Sequence, residues 1–180
     1  MTDLISFNYK QIIKELSIFN PLKYVYFFEN LLLQKYEKKV SNFFDKVVFI
    51  SKKELSSSRL FIERKKIFII GGQLDFKKKV FSFKNSNNKI LFVGNISYFP
   101  NKLACYNFAK KILPSIIKIY PKVEFNIVGK INKLDKFLLS NLSNVKVHGP
   151  KKELNLIIQN SILGLCNLNV ATGFQNKIFT

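Results

Sequence analysis

The chain has 180 residues, 47% of them hydrophobic and 14% aromatic, which is enough apolar material for a packed core and excludes a disordered polymer. Thirty Lys and Arg against 11 Asp and Glu give a formal net charge of +19, a balance that ordinarily points to nucleic acid or an anionic membrane. The excess is spread evenly, with 18 basic against 8 acidic residues in 1–90 and 12 against 3 in 91–180, and only Arg59 and Arg64 are arginines. Direct base readout leans on the bidentate arginine fork and is therefore not expected.

The chain is crowded with Lys, Asn, Ile and Phe, whose codons are rich in A and T, so genomic base composition accounts for much of the charge. Cys105 and Cys166 lie 61 residues apart with no His or Cys neighbour. They read as small core residues of a reduced compartment rather than a disulfide framework, and no metal site is expected. "MTDLISFNYKQ" lacks the basic and apolar regions of a signal peptide. "YVYFFENLLL" is broken by Glu29 and Asn30 and is too short to span a bilayer. The expected location is the cytoplasm.

In chain order, "PLKYVYFFENLLLQKYEKKVSNFF" opens on Pro21 and spaces its apolar residues as one long helix to about Phe43. A strand follows at Asp45–Ser51, a short helix over Lys52–Glu63, and a second strand, "KIFIIGG", ending at Gly71 and Gly72. Residues 73–88, with a Lys triplet and an Asn/Ser cluster, read as a linker. Beyond it the alternation is regular. Strand Lys89–Asn95 precedes a helix over Asn101–Pro121, whose predicted inner face is Leu103, Tyr106, Leu113, Ile116, Ile117 and Tyr120. Then come strand Val123–Lys130, a helix near Asn132–Asn141, strand Val145–Pro150, helix Lys151–Asn160 and strand Ile162–Leu168. These strands are continuous apolar runs, the pattern of buried parallel strands with crossover helices. The expected fold class is α/β, a Rossmann-like doubly wound parallel sheet.

In such sheets ligands bind outside the carboxyl ends of the strands. Those ends are marked by Gly94-Asn95, Gly129-Lys130, His148-Gly149 and, after the last strand, Thr172-Gly173. A glycine at a strand end can be a simple turn former; four on one edge point to close backbone approach by a ligand. Gly173 opens a predicted helix with Lys177 one turn further on, a combination suited to a diphosphate. His148, the one histidine, has no carboxylate or nucleophile that the sequence places beside it, and reads as a residue lining a pocket or capping a strand.

"DKVVFIS", "KILFVGNISYFPNKLACYNFAKKILP", "VEFNIVGK", "VKVHGP" and "ATGFQNKIF", in that order and spacing from about Tyr36 to Phe179, resemble the retaining group 1 glycosyltransferases of bacterial exopolysaccharide and envelope pathways. The resemblance implies GT-B architecture, two Rossmann-like domains with the nucleotide-sugar donor held mainly by the second. Residues 1–72 would then be the end of the acceptor domain, 73–88 the linker, and 89–180 the first part of the donor domain. Gly94 and Asn95 would face the diphosphate, with Gly129 and Lys130 in the next loop and His148 with Gly149 framing the base. Thr172, Gly173, Gln175, Asn176 and Lys177 would hold the donor phosphates.

The family commonly has two glutamates flanking this loop, where this chain has Thr172 and Thr180. The sequence therefore reads as a fragment of an envelope glycosyltransferase, truncated at both ends and inactive alone. It implies no cofactor beyond the nucleotide-diphosphate sugar, and no metal. The implied partners are a saccharide or lipid-linked acceptor and peripheral contact with an anionic membrane at its inner face, without specific nucleic acid. Two alternatives are a non-catalytic basic module binding nucleic acid or anionic membrane, and an inactive remnant.

Overall fold

Apolar strands too short to stand alone organise the chain into two units, and each unit buries its strands against its own helices. The computed structural model describes residues 4–49, 51–52, 55–56, 62–70 and 87–171. Of these, residues 4–70 with 169–171 form one unit and residues 87–168 the other.

The second unit is a four-stranded parallel sheet. Its elements run β3 (Asn87–Val93), α3 (Phe99–Asn107), a π-helical turn (Phe108–Ile112), α4 (Leu113–Ile119), β4 (Glu124–Val128), α5 (Lys133–Ser140), β5 (Val145–Gly149), α6 (Asn155–Gln159) and β6 (Ser161–Gly164). The order across the sheet is β5-β4-β3-β6, every pair parallel. The chain winds outward from β3 through β4 to β5, then returns to the far side of β3. This reversal is the switch point of a doubly wound sheet, where crevices for ligands open. Ile90, Phe92, Phe125, Ile127 and Val145 meet Ala104, Cys105, Phe108, Leu113 and Leu139 in one core. The alternation along each strand places these side chains on one face.

Boundaries shift from the sequence expectation at several points. β3 begins at Asn87, two residues before the expected Lys89, because its first residue pairs with Ser161. β6 ends at Gly164 rather than Leu168; the Leu165 N–H bond to the Leu91 carbonyl at 2.7 Å continues the pairing one residue further.

The expected single helix over Asn101–Pro121 with its straight apolar face is corrected. Pro114 has no N–H to give to the preceding turn, and its ring crowds the carbonyl four residues back. The helix absorbs this with a π turn in which Leu113 N–H reaches the Phe108 carbonyl. One residue is thereby added to the turn, and the inward face rotates. Ala104, Cys105, Phe108 and Ala109 are buried before it and Leu113 after it, while Tyr106, Ile116 and Ile117 pack at the margin. Tyr120, expected inside, lies past the end of α4 and is exposed.

The first unit contains α1 (Ile5–Glu15), α2 (Pro21–Asn42), β1 (Val47–Phe49) and β2 (Ile67–Ile69), the strands pairing in parallel. The Asn20 side chain caps α2 by accepting from Leu22 N–H at 3.0 Å, and Pro21 occupies the first turn. α1 has no side-chain cap of its own at Leu4. Its first turn is held from a distance: Glu37 of α2 accepts from Ser6 N–H at 3.0 Å and from the Ser6 hydroxyl. A carboxylate there satisfies free N–H groups and meets the positive end of the helix dipole. Leu4, Phe49 and Ile62 form a small core. The expected helix over Lys52–Glu63 falls largely outside the described residues.

Candidate functional site

The carboxyl ends of β3, β4 and β5 are bound to one another through backbone. Gly94 N–H donates to the Val128 carbonyl at 3.0 Å, Gly129 N–H to the Gly149 carbonyl at 2.9 Å, and Ile96 N–H to the Lys130 carbonyl at 2.7 Å. Gly129 has φ of 141°, and a Cβ there would sit 1.8 Å from the Gly94 carbonyl oxygen. The missing side chain at Gly129 is thus used by the neighbouring loop of the chain itself. Gly149, at φ of 70°, has open space where a Cβ would point, so its backbone is the one a second molecule could approach.

Asn95 lies in the loop between β3 and α3. Its side chain accepts from Ser97 N–H at 3.1 Å, and its carbonyl accepts from the amide of buried Asn101 at 2.8 Å. Asn101, which the sequence reading did not single out, therefore fixes the loop that Gly94 and Asn95 occupy. Its signal was only its place just after "YFP", where the first helical turn faces back on the loop.

His148 lies near the end of β5, its Nε2 2.6 Å from the Asn126 side-chain oxygen. An amide oxygen only accepts, so the neutral ring carries its proton on Nε2. Partial loss of solvent beside the sheet, with the charges of Lys151, Lys146 and Lys89, holds this imidazole below the usual histidine range. Lys130 is exposed beside this edge. Asn126 was missed because a polar residue in "VEFNIV" looks like noise within an apolar strand; its alternation to the face opposite Phe125 and Ile127 gives it away.

Behind the edge a buried carboxylate braces the helices. Asp135 accepts from Tyr106 at 3.1 Å and Asn132 at 2.6 Å, and pairs with Lys102 at 2.8 Å. Asn132 also caps α5 by accepting from Asp135 N–H at 2.7 Å. Burial alone would raise the Asp135 carboxyl, but the bonds from Lys102 and Asn132 hold it below the usual aspartate range. Burial and that carboxylate push the Tyr106 hydroxyl up to about 12. The group is a brace between α3 and α5.

After β6, the Asn167 amide donates to the Ala104 carbonyl at 3.1 Å. The expected phosphate residues Thr172, Gly173, Gln175, Asn176 and Lys177 lie outside the described residues. Among the described residues no group of three or more His, Cys, Asp or Glu is placed to hold a metal ion, and no helix is long and apolar enough to cross a membrane.

Solved structures with the same arrangement include TarM, matched at a TM-score of 0.56 with 17% identity over 73% of this chain and 26% of TarM. A second is a point mutant of S. aureus TarM in complex with Fondaparinux, alpha-GlcNAc-glycerol and UDP, at a TM-score of 0.56 and 14% identity, covering 73% of this chain and 27% of that one. The fold is the Rossmann-like α/β fold of GT-B proteins. In sequence, the chain is 36% identical over 112 residues to an uncharacterized 44.6 kDa protein in the cps region of Klebsiella pneumoniae, covering 59% of this chain. The chain spans 27% of that relative's length. No protein-family model matches it.

Proposed function

We propose that the chain is part of a retaining cell-envelope glycosyltransferase and that the unit built on β3 to β6 contributes the nucleotide-sugar donor side. The observation that carries this reading is the edge formed by Gly94, Gly129 and Gly149 at the carboxyl ends of β3, β4 and β5, with open space beside the Gly149 Cα. It is supported by the likeness to TarM, one structure of which holds UDP beside alpha-GlcNAc-glycerol. These are a nucleoside diphosphate and a glycosylated hydroxyl, the products a sugar transferase leaves. The relative from a cps region supports a role in polysaccharide synthesis; in this reading the acceptor is a saccharide or a lipid-linked hydroxyl at the inner face of the cell membrane.

In this reading the sugar leaves a nucleoside diphosphate for an acceptor hydroxyl with retention. Gly149 and His148 border the base, the Gly94-Asn95 loop faces the diphosphate, and Lys177 with the N–H groups following Gly173 meets the charge that grows on the departing phosphate. No resident cofactor takes part.

UDP binding by the full chain, measured calorimetrically, tests the assignment. Lys177→Ala is expected to weaken UDP by about 1–3 kcal/mol, the worth of a charge-assisted bond, and to leave uridine unchanged. Lys38→Ala, on the exposed side of α2, should alter neither. Equal losses from Lys177→Ala and Lys38→Ala would reduce Lys177 to one of many solvated lysines and remove the phosphate assignment.

A further inference from the structure

We infer that the His148 side chain reads the base of the donor, its Nδ1 lone pair accepting the imide N–H of a uracil-type ring; the inference rests on the donor reading above. All the residues involved belong to the unit built on β3 to β6. Along β4 and β5 the pairing runs Ile127 with Val147 and then Val128 with Gly149. His148 is therefore one residue more than the partner strand has, a bulge in the ladder, and bulges at strand ends re-aim a side chain. Gly149 follows with a φ of 70°. His148 is left exposed beside the one glycine of this edge that has open space at its Cα.

One ring nitrogen is already committed. Nε2 lies 2.6 Å from the Asn126 side-chain oxygen, which can only accept, so that nitrogen carries the proton. Nδ1 is then the lone pair, and it takes no hydrogen bond among the described residues. Asn126 is a costly residue to place there: it is 3% exposed within an apolar strand, and its Nδ2 is buried with no hydrogen-bond partner among the described residues. A buried amide with an unused donor lowers stability, and a strand that served only the core would carry an apolar side chain at that point. What the amide provides is a single tautomer of His148. Partial burial, and then the charges of Lys151, Lys146 and Lys89 against that of Glu124, keep the ring neutral near pH 7, so the lone pair is retained.

A fixed lone pair selects by chemistry. Uracil carries an N–H between its two carbonyls, whereas cytosine has a lone pair at the same ring position, and two lone pairs facing each other repel.

Binding of UDP, N3-methyl-UDP and CDP to the full chain, measured calorimetrically, tests this. The parent chain should bind UDP about three- to tenfold more tightly than either of the others, the range for one neutral hydrogen bond. His148→Ala should lose that factor for UDP and bind N3-methyl-UDP as the parent does. Lys136→Ala, exposed on α5, should match the parent chain throughout. Nitrogen-15 shifts of the imidazole give a readout independent of any nucleotide: the proton should sit on Nε2 in the parent and be shared between both nitrogens in Asn126→Ala. Equal parent affinities for UDP and N3-methyl-UDP, or equal losses for the two in His148→Ala, would overturn base reading by His148 while leaving the donor assignment. A proton on Nδ1 in the parent would overturn it as well, and an unchanged tautomer in Asn126→Ala would overturn the orienting role of Asn126. A parent chain that does not bind UDP would overturn the donor reading and this inference with it.

Discussion

The two units handle apolar sequence in opposite ways. In the second, strands of four to seven residues lie side by side, so Phe92, Phe125, Ile127 and Leu113 are completely covered. In the first, β1 and β2 have three residues each, about 10 Å of strand, beside an α2 of 22 residues and about 33 Å. Among the described residues this sheet spans only part of the length of α2. Leu22, Val25, Phe28, Leu32 and Tyr36 of α2 stay exposed, whereas its inward side buries Asn30, Glu37 and Ser41. Apolar composition alone therefore does not make a core; the number and length of aligned strands decide how much of it is covered.

That contrast can be broken most sharply at the glycine edge. Gly129→Ala forces a Cβ against the Gly94 carbonyl at a backbone angle alanine rarely adopts, and is expected to destabilise by more than about 4 kcal/mol. Gly164→Ala, in the same sheet with open space around it, should change stability by less than about 0.5 kcal/mol. Urea denaturation of both variants reads the difference, and similar losses would mean the strand ends are not packed on one another.

A smaller effect separates the units by their buried carboxylates. Asp135→Ala leaves Tyr106 and Asn132 without their acceptor and should cost about 2–3 kcal/mol, less than a fully buried pair because the Lys102 side chain is 41% exposed. Its folded pKa is depressed, so its contribution is complete above the ordinary aspartate value of 3.8 and is lost as pH falls through the lower folded value. Asp135→Ala should flatten that part of the acid-unfolding curve. Glu37→Ala removes the remote cap of α1 and should cost about 1–3 kcal/mol. Its loss should fall on the α1–α2 pair, read by amide exchange in α1, with the second unit's exchange unchanged.

The smallest expected effect is at His148. As the chain's one histidine, it gives a single imidazole resonance, which should titrate below 6.5. The unfolded chain then takes that proton more readily, so stability declines slightly as pH falls through 6.5. Lys151→Ala should move the midpoint upward. A midpoint above 6.5 in the parent chain would show that the lysines around His148 do not govern it.

By itself the sequence determined the α/β class, the long α2 with its start at Pro21, and the glycines at three successive strand ends. These are local statements, carried by apolar runs, caps and residues with special backbone freedom, and they survive whatever the chain packs against. Tertiary structure decided the rest. α1 has no cap signal because its cap, Glu37, lies 31 residues away. The inward face of the helix after β3 turned because Pro114 forced a π turn, which a constant 3.6-residue period does not contain. Gly129 proved to be spaced against Gly94, and Gln11 met Ala171 160 residues later. Pairings at that separation depend on which loops the sheet order brings together, and no spacing within one stretch of sequence records that.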